Sequence, residues 1–219
     1  MTITVDIAGD GNRALEIRQV LIAGYTGRDQ AKVLAHIREL AELGVAPPPR
    51  VPMVYTLDPA MLTTGDLITV SCAETSGEAE FVLIGSSDGL LVGVGSDHTD
   101  RQQEAVDVQS SKERVPHPIG RQVWRYDDVK SHWDAIELRS WTKGQLYQEG
   151  RLEAFLQVDE LLAKLRQAGY GELNGRVIFG GTLPTIGGLT YGRRFEAELH
   201  DRNLKRTVRC AYDVTVSGA

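Results

Sequence analysis

Glu78 and Glu80 stand one residue apart at the head of an apolar run, Phe81-Val82-Leu83-Ile84, that reads as a buried strand. Residues i and i+2 of a strand point to one face, so the two carboxylates project side by side. Burying like charges that close is costly unless something offsets them. Further along lies GVGSDHTDR, where Asp97 follows directly on the strand-like GLLVGVG. If 78–85 and 90–97 pair as a hairpin about SSDG, Asp97 returns to the end at which Glu78 and Glu80 begin. Three carboxylates converging there suit a hard divalent cation, since Mg²⁺ takes carboxylate oxygens and keeps places for water and substrate oxygens. Solvent at the strand ends, or pairing with Arg101 or Lys112, would satisfy the same acids. E-x-E is a frequent pattern, and spacing alone leaves both readings open.

The elements that must carry these residues are mostly strands. MTITVDI alternates, and ALEIRQVLIAG reads as a second strand joined to it through the turn GDGN. GRDQAKVLAHIRELAELG is expected to be a helix with Val33, Leu34, Ile37, Leu40, Ala41 and Leu43 on its apolar face and Gly44 as its stop. VAPPPRVP is a stiff connector. Short strands follow in PMVYTL, DLITVS, EAEFVLI, GLLVGVG, AIELRSW and QLYQEG. VDELLAKLRQAG is the second helix, with Leu161, Leu162 and Leu165 on one face and Gly169 ending it; GRVIFGG, RRFEAELHD and LKRTVRCAYDVTV close the chain as strands. Helices therefore flank a mainly β (α+β) roll or sandwich. Trp124, Trp133 and Trp141 read as packing or as a dimer surface.

Composition narrows the class. A chain of 219 residues is long enough for one domain with a sizeable core. With 30 acidic against 24 basic side chains and no basic run, nucleic acid and anionic membranes are poor partners. Two cysteines, Cys72 and Cys210, make no disulfide framework. No signal-peptide pattern opens the chain and no apolar run reaches transmembrane length, so a cytoplasmic protein is expected.

GEAEFVLI, GVGSDHTDRQ, QSSKE, QLYQEG and GRVIFGGTLPTIGG, in that order, resemble the fumarylacetoacetate hydrolase superfamily, in an uncharacterised branch. The resemblance covers roughly residues 20–215; its motifs are weak singly and specific together. It implies a single catalytic domain over 1–219, with N-terminal strands and helix in 1–50 and a metal-binding mixed β-sandwich roll in 51–219. By position, Glu78, Glu80 and Asp97 match the three ligands of a Mg²⁺ or Mn²⁺ ion. Arg101 matches the arginine that follows the aspartate, and Lys112 falls where the family places an active-site lysine, although the order here is S-S-K-E. Gln148 and Thr182 match a glutamine and a threonine beside the metal, and with Arg101 they are expected to bind substrate. The family also commonly forms homodimers.

Departures put the substrate in doubt. The family's T-G-T-P-x-G-V-G becomes GGTLPTIGG, with Leu183 in the proline's place and Pro184 one residue on. The segment between Glu80 and Asp97 is shorter than usual, and His98 adds a titratable group that reads as a supporting or solvated side chain. His117, in VPHPIG, has no assigned role. Hydrolytic members carry a histidine and, three residues on, a glutamate that together activate water. One match to that pattern places Gln30 at the histidine, and Gln30 cannot act as a base. Allowing a short insertion places His36 and Glu39 there, on one helix face, where Glu39 could hold the imidazole and raise its basicity; an incidental ion pair is the alternative.

The resemblance thus implies a metal-dependent hydrolase that cleaves a C–C bond in an acylpyruvate-like or other 2-oxo or β-diketo acid. His36 and Glu39 supply the water, with Lys112 at the reacting centre. A decarboxylase, dehydratase or tautomerase working through the same enolate on a 2-keto acid or 2-keto-3-deoxy sugar acid is the second reading. A non-catalytic β binding domain is the third.

Overall fold

The run at 81–84 is apolar throughout because its strand is covered on both faces. Phe81 and Leu83 join one core, which also holds Val92, Val94, Leu138, Leu199, Val208 and Tyr212. Val82 and Ile84 join another with Ile3, Val5, Ile7, Ile22 and Phe179. A strand buried on both sides loses the polar half of its alternation. The computed structural model describes residues 1–42 and 47–218, apart from the side chains of His36 and Leu40.

Two sheets supply those cores. The larger runs Gly11–Glu16, Thr2–Ile7, Gln122–Arg125, Gly89–Ser96, Ala79–Ser86, Arg176–Thr182, Gln19–Gly24, Met53–Leu57. The smaller runs Gln145–Arg151, Glu137–Thr142, Arg194–Asp201, Arg206–Val216, Leu67–Val70. Strands from the first fifty residues thus share one sheet with strands from the rest of the chain. Helix Val158–Gln167 buries Val158, Leu161 and Leu165 in the first core. The mainly β architecture with flanking helices is the expected one.

Two local expectations change. ALEIRQVLIAG is two strands, because the chain changes neighbours within one sheet. Gly11–Glu16 pairs antiparallel with Thr2–Ile7, whereas Gln19–Gly24 lies parallel to Arg176–Thr182. Between them Ile17 N donates to Met1 O at 2.7 Å and Arg18 N to Gly175 O at 2.7 Å. The first helix spans Gln30–Glu42, with Ile37 buried but Leu34 and Ala41 exposed; its expected stop, Gly44, lies outside the described residues. RQVWR is a strand pairing parallel with Thr2–Ile7. Trp124 and Trp133 are fully buried, the latter edge-on to Phe81 with ring centroids 5.3 Å apart. Those two tryptophans are packing; Trp141 is half-buried.

Candidate active site

The expected hairpin forms. Ala79–Ser86 pairs antiparallel with Gly89–Ser96 from Ser86 opposite Gly89 to Ala79 opposite Ser96. The ladder continues one step, as Asp97 N donates to Glu78 O at 3.0 Å. Register alone therefore brings Asp97 to the end that carries Glu78 and Glu80. Glu80, 3% exposed, accepts from Gly181 N at 2.7 Å. That approach needs glycine: Gly181 has φ 123°, and a Cβ there would meet Thr26 Oγ1 at 2.1 Å.

Two short helices supply the cations. Arg101–Glu104 is capped by Asp100, which accepts from Gln103 N at 3.0 Å, and Val108–Glu113 by Asp107, which accepts from Ser110 N at 2.6 Å. Arg101 pairs with Glu78 at 3.0 Å and Glu104 at 2.7 Å, and its Nε donates to Ser76 at 2.8 Å. Lys112, buried in the last turn of its helix, ion-pairs with Asp97 and lies 5.7 Å over the Tyr55 ring. Burial opposes the charge on Lys112, but Asp97 and Glu78 outweigh it and raise its pKa. Burial likewise disfavours ionised Asp97, yet Lys112 and His117 hold it well below the usual carboxylate range.

Glu80 differs from both. Its pKa is raised well above the ordinary value by burial and then by Asp97, with the Gly181 N–H only partly compensating. Glu78 is raised by burial, with Arg101 working against the shift. The pairing of Glu78 with Arg101 and of Asp97 with Lys112 is the second of the two readings that spacing left open. It leaves Glu80 in no ion pair among the described residues.

His117 is the residue that sequence reasoning missed. Fully buried, it shares a hydrogen bond between Nε2 and Lys112 O at 2.8 Å, and its Nδ1 stands 3.3 Å from Asp97 Oδ1. Since a carbonyl only accepts, Nε2 is the donor. The strand His117–Pro118 pairs parallel with Leu62–Thr63, and Ile119 bridges to Gly95, which sets His117 beside the end of the acid-bearing hairpin. Sequence-distant pairing made that contact, and no local pattern announces it.

His98 supports the site from behind. Its Nδ1 meets Tyr212 Oη at 2.8 Å, Tyr212 Oη donates to Ser96 Oγ at 2.8 Å, and Ser96 Oγ accepts from Glu78 N at 3.2 Å. Burial, then His117, pushes its pKa down to about 3, so the ring is neutral.

Gln148 is 0% exposed and its amide is fully engaged. Nε2 donates to Thr182 Oγ1 at 2.7 Å and Leu183 O at 2.6 Å, while Oε1 accepts from Ala79 N at 2.9 Å and Ser140 Oγ at 2.8 Å. The structure places it as a clamp between the acid-bearing strand and the 182–183 loop, outside the cavity lining. Thr182 lines the cavity and donates to Ala79 O at 3.0 Å. Glu39 is exposed on the first helix, and the His36 side chain lies outside the described residues.

One cavity of about 700 Å³ receives Glu78, Glu80, Asp97, Arg101, Lys112 and Thr182 together. Its far walls come from 22–27, Lys32, Val33, Tyr55, Val108 and the 181–189 loop. Tyr25 sits there with φ 61°, a left-handed conformation that a tyrosine rarely adopts. Among the described residues, no three His, Cys, Asp or Glu side chains are grouped closely enough to hold a metal ion as they stand. The donor chemistry nonetheless fits a hard cation. Four carboxylates, Glu78, Glu80, Asp97 and Glu104, line the cavity against two buried cations, Arg101 and Lys112, and Asp97 Oδ1 is buried without a hydrogen-bond partner. No described helix is long and apolar enough to cross a membrane.

A family profile described as "Protein of unknown function (DUF2848)" matches residues 23–212. No curated protein is significantly similar to the chain. Among solved structures, 5-carboxymethyl-2-hydroxymuconate delta-isomerase from Mycobacterium smegmatis is 18% identical with a TM-score of 0.66, over 95% of this chain and 84% of that one. The 2-hydroxyhepta-2,4-diene-1,7-dioate isomerase from Mycobacterium marinum is 17% identical with a TM-score of 0.64, over 95% and 80%. Yeast ynq8, a fumarylacetoacetate hydrolase family protein, is 17% identical with a TM-score of 0.65, over 93% and 95%. At these identities the likeness shows the fold, which is that of the fumarylacetoacetate hydrolase superfamily.

Proposed function

The chain belongs to the DUF2848 family, and we propose that its site makes it a divalent-metal-dependent enzyme acting on oxo acids. The proposed reaction is hydrolytic C–C cleavage of an acylpyruvate-like or other 2-oxo or β-diketo acid. One observation carries this reading: Glu80 is buried at 3% exposure with a raised pKa, in a cavity whose two buried cations are already committed to Glu78, Glu104 and Asp97. Uncompensated buried acid is costly in a site with no ligand, and it suits one that receives a cation. Supporting it, the fold is shared with proteins named as isomerases and as a fumarylacetoacetate hydrolase family member.

Glu78, Glu80 and Asp97 would hold Mg²⁺ or Mn²⁺, which when bound supplies Lewis acidity to the oxygens of an enolate. The protein's own groups do the remaining work. Arg101 orients Glu78, Lys112 presents its ammonium beside Asp97, and Thr182 stands on the cavity wall. His117 fixes Lys112 through its carbonyl and faces Asp97, so it positions both without entering the cavity lining. His36, held by Glu39, takes the proton from water in this reading. A homodimer belongs to the same proposal.

A second reading has its own support. Glu39 is exposed and is not among the residues that line the cavity. That favours decarboxylation, dehydration or tautomerisation through the same enolate over dyad-driven hydrolysis. A screen of acylpyruvates and 2-oxo acids with Mg²⁺ or Mn²⁺ in ¹⁸O-water tests both. Hydrolysis places solvent oxygen in the product acid and His36→Ala lowers turnover on the order of 10²–10⁴-fold. Turnover without label and insensitive to His36→Ala selects the second reading. Absence of turnover together with absence of metal binding removes both.

A further inference from the structure

We infer that the site selects an oxo acid whose far end is apolar and uncharged. The inference rests on the oxo-acid reading above and adds to it the nature of the tail.

Besides its charged groups, the cavity is lined by Ile22, Tyr25, Val33, Tyr55, Val108 and Leu189. A second carboxylate on the substrate would need a cation there. Among the described residues, the bases lining the cavity are Lys32, Arg101 and Lys112. Arg101 is consumed by Glu78, Glu104 and Ser76, and Lys112 by Asp97. The Lys32 side chain is 87% exposed and pairs with Asp29 at 3.5 Å, so it is a solvated charge at the rim. Glu104, on the same wall, would repel a second carboxylate. Desolvating an anion against this surface would find no uncommitted buried cation to offset it.

The rim points the same way. Nine large hydrophobic side chains are exposed among the described residues; of these Leu189 lines the cavity, and Ile186 and Tyr191 lie on the same loop. The 183–191 loop that supplies three of them is also where the chain departs from the proline-bearing pattern of its relatives, with Leu183 turned into the cavity lining.

The test uses two acids of equal chain length that share the 2-oxo head, 2-oxooctanoate and 2-oxooctanedioate. Each is titrated calorimetrically into the full-length protein in Mn²⁺ buffer. The expected result is tighter binding of the monoacid, on the order of 10²-fold, because an apolar wall that leaves a carboxylate unpaired rejects it strongly. Leu189→Lys, at an exposed position that tolerates the change in folding, should narrow that ratio at least about tenfold by giving the second carboxylate a partner. Equal or tighter binding of the diacid overturns the inference while leaving the oxo-acid reading in place. A ratio unchanged by Leu189→Lys also overturns it, since the tail would then not meet this wall. Binding of neither acid, with Mn²⁺ still bound, overturns it together with the oxo-acid reading.

Discussion

Two stacks of charged side chains in this protein are built differently. Across the smaller sheet, cross-strand register sets Glu149 opposite Arg139, Arg139 opposite Glu198, and Glu198 opposite Arg209. The signs alternate along the row, and the pairs close at 3.4, 3.5 and 3.1 Å. Each acid has a guanidinium beside it, and Glu149 and Arg209 are largely solvated. At the cavity, register instead gathers like charges: Glu78, Glu80 and Asp97 come from one hairpin end, and their cations arrive from separate short helices. Balanced charge is what sheet pairing produces unaided. Unbalanced buried charge is costly and calls for a partner from outside the protein.

Breaking the cavity's strongest pair should give the largest effect. Asp97→Ala leaves the buried Lys112 ammonium without its ion-pair partner, at a cost of about 3–5 kcal/mol. Urea unfolding of the metal-free protein measures it. A loss below about 1 kcal/mol would mean that the Lys112–Asp97 pair is no more coupled than a surface pair.

Glu80→Gln should act with the opposite sign. The amide keeps an oxygen for the Gly181 N–H and removes the unpaired buried charge, so the metal-free protein should gain about 1–3 kcal/mol at neutral pH, while Mn²⁺ affinity falls. The pH dependence follows from the raised pKa. Protonated Glu80 imposes no charge penalty, so its contribution is fully favourable below the ordinary glutamate pKa and is lost as pH rises through the raised folded value. Thermal unfolding of wild type and Glu80→Gln should therefore converge in acid and separate as pH rises. Parallel curves would show that Glu80 is not the group held under strain.

These residues also mark how far the sequence could be read. The hairpin was legible because SSDG interrupts two apolar runs of matching length, and register from that turn carries Asp97 to Glu78 without further information. Helix Val158–Gln167 was legible from leucine spacing. Arg101 and Lys112 were legible as possible partners of the acids, but the helices that carry them were not, because four and six residues are too short to show a 3.6-residue period. His117 was invisible: its role comes from a two-residue parallel pairing with Leu62–Thr63. Gln148 came into view only by resemblance, and its use as a clamp depends on which face the 182–183 loop approaches.

The outer row supplies the smallest effect and the control for the comparison. Glu198, 10% exposed at its side chain, lies between Arg139 and Arg209. Removing its charge in Glu198→Gln leaves two guanidinium groups that water can still solvate, Arg209 being 71% exposed. The loss should stay within about 1 kcal/mol and shrink further in high salt, as expected for surface pairs. Salt should affect Asp97→Ala and Glu80→Gln less, because both side chains are buried, at 2% and 3% exposure, and buried charges are screened less. Denaturant unfolding of all three variants at low and high NaCl reads this directly. A Glu198→Gln loss as large and as salt-insensitive as that of Asp97→Ala would show that the outer row is held as tightly as the cavity, and charge balance would then no longer separate scaffold from site.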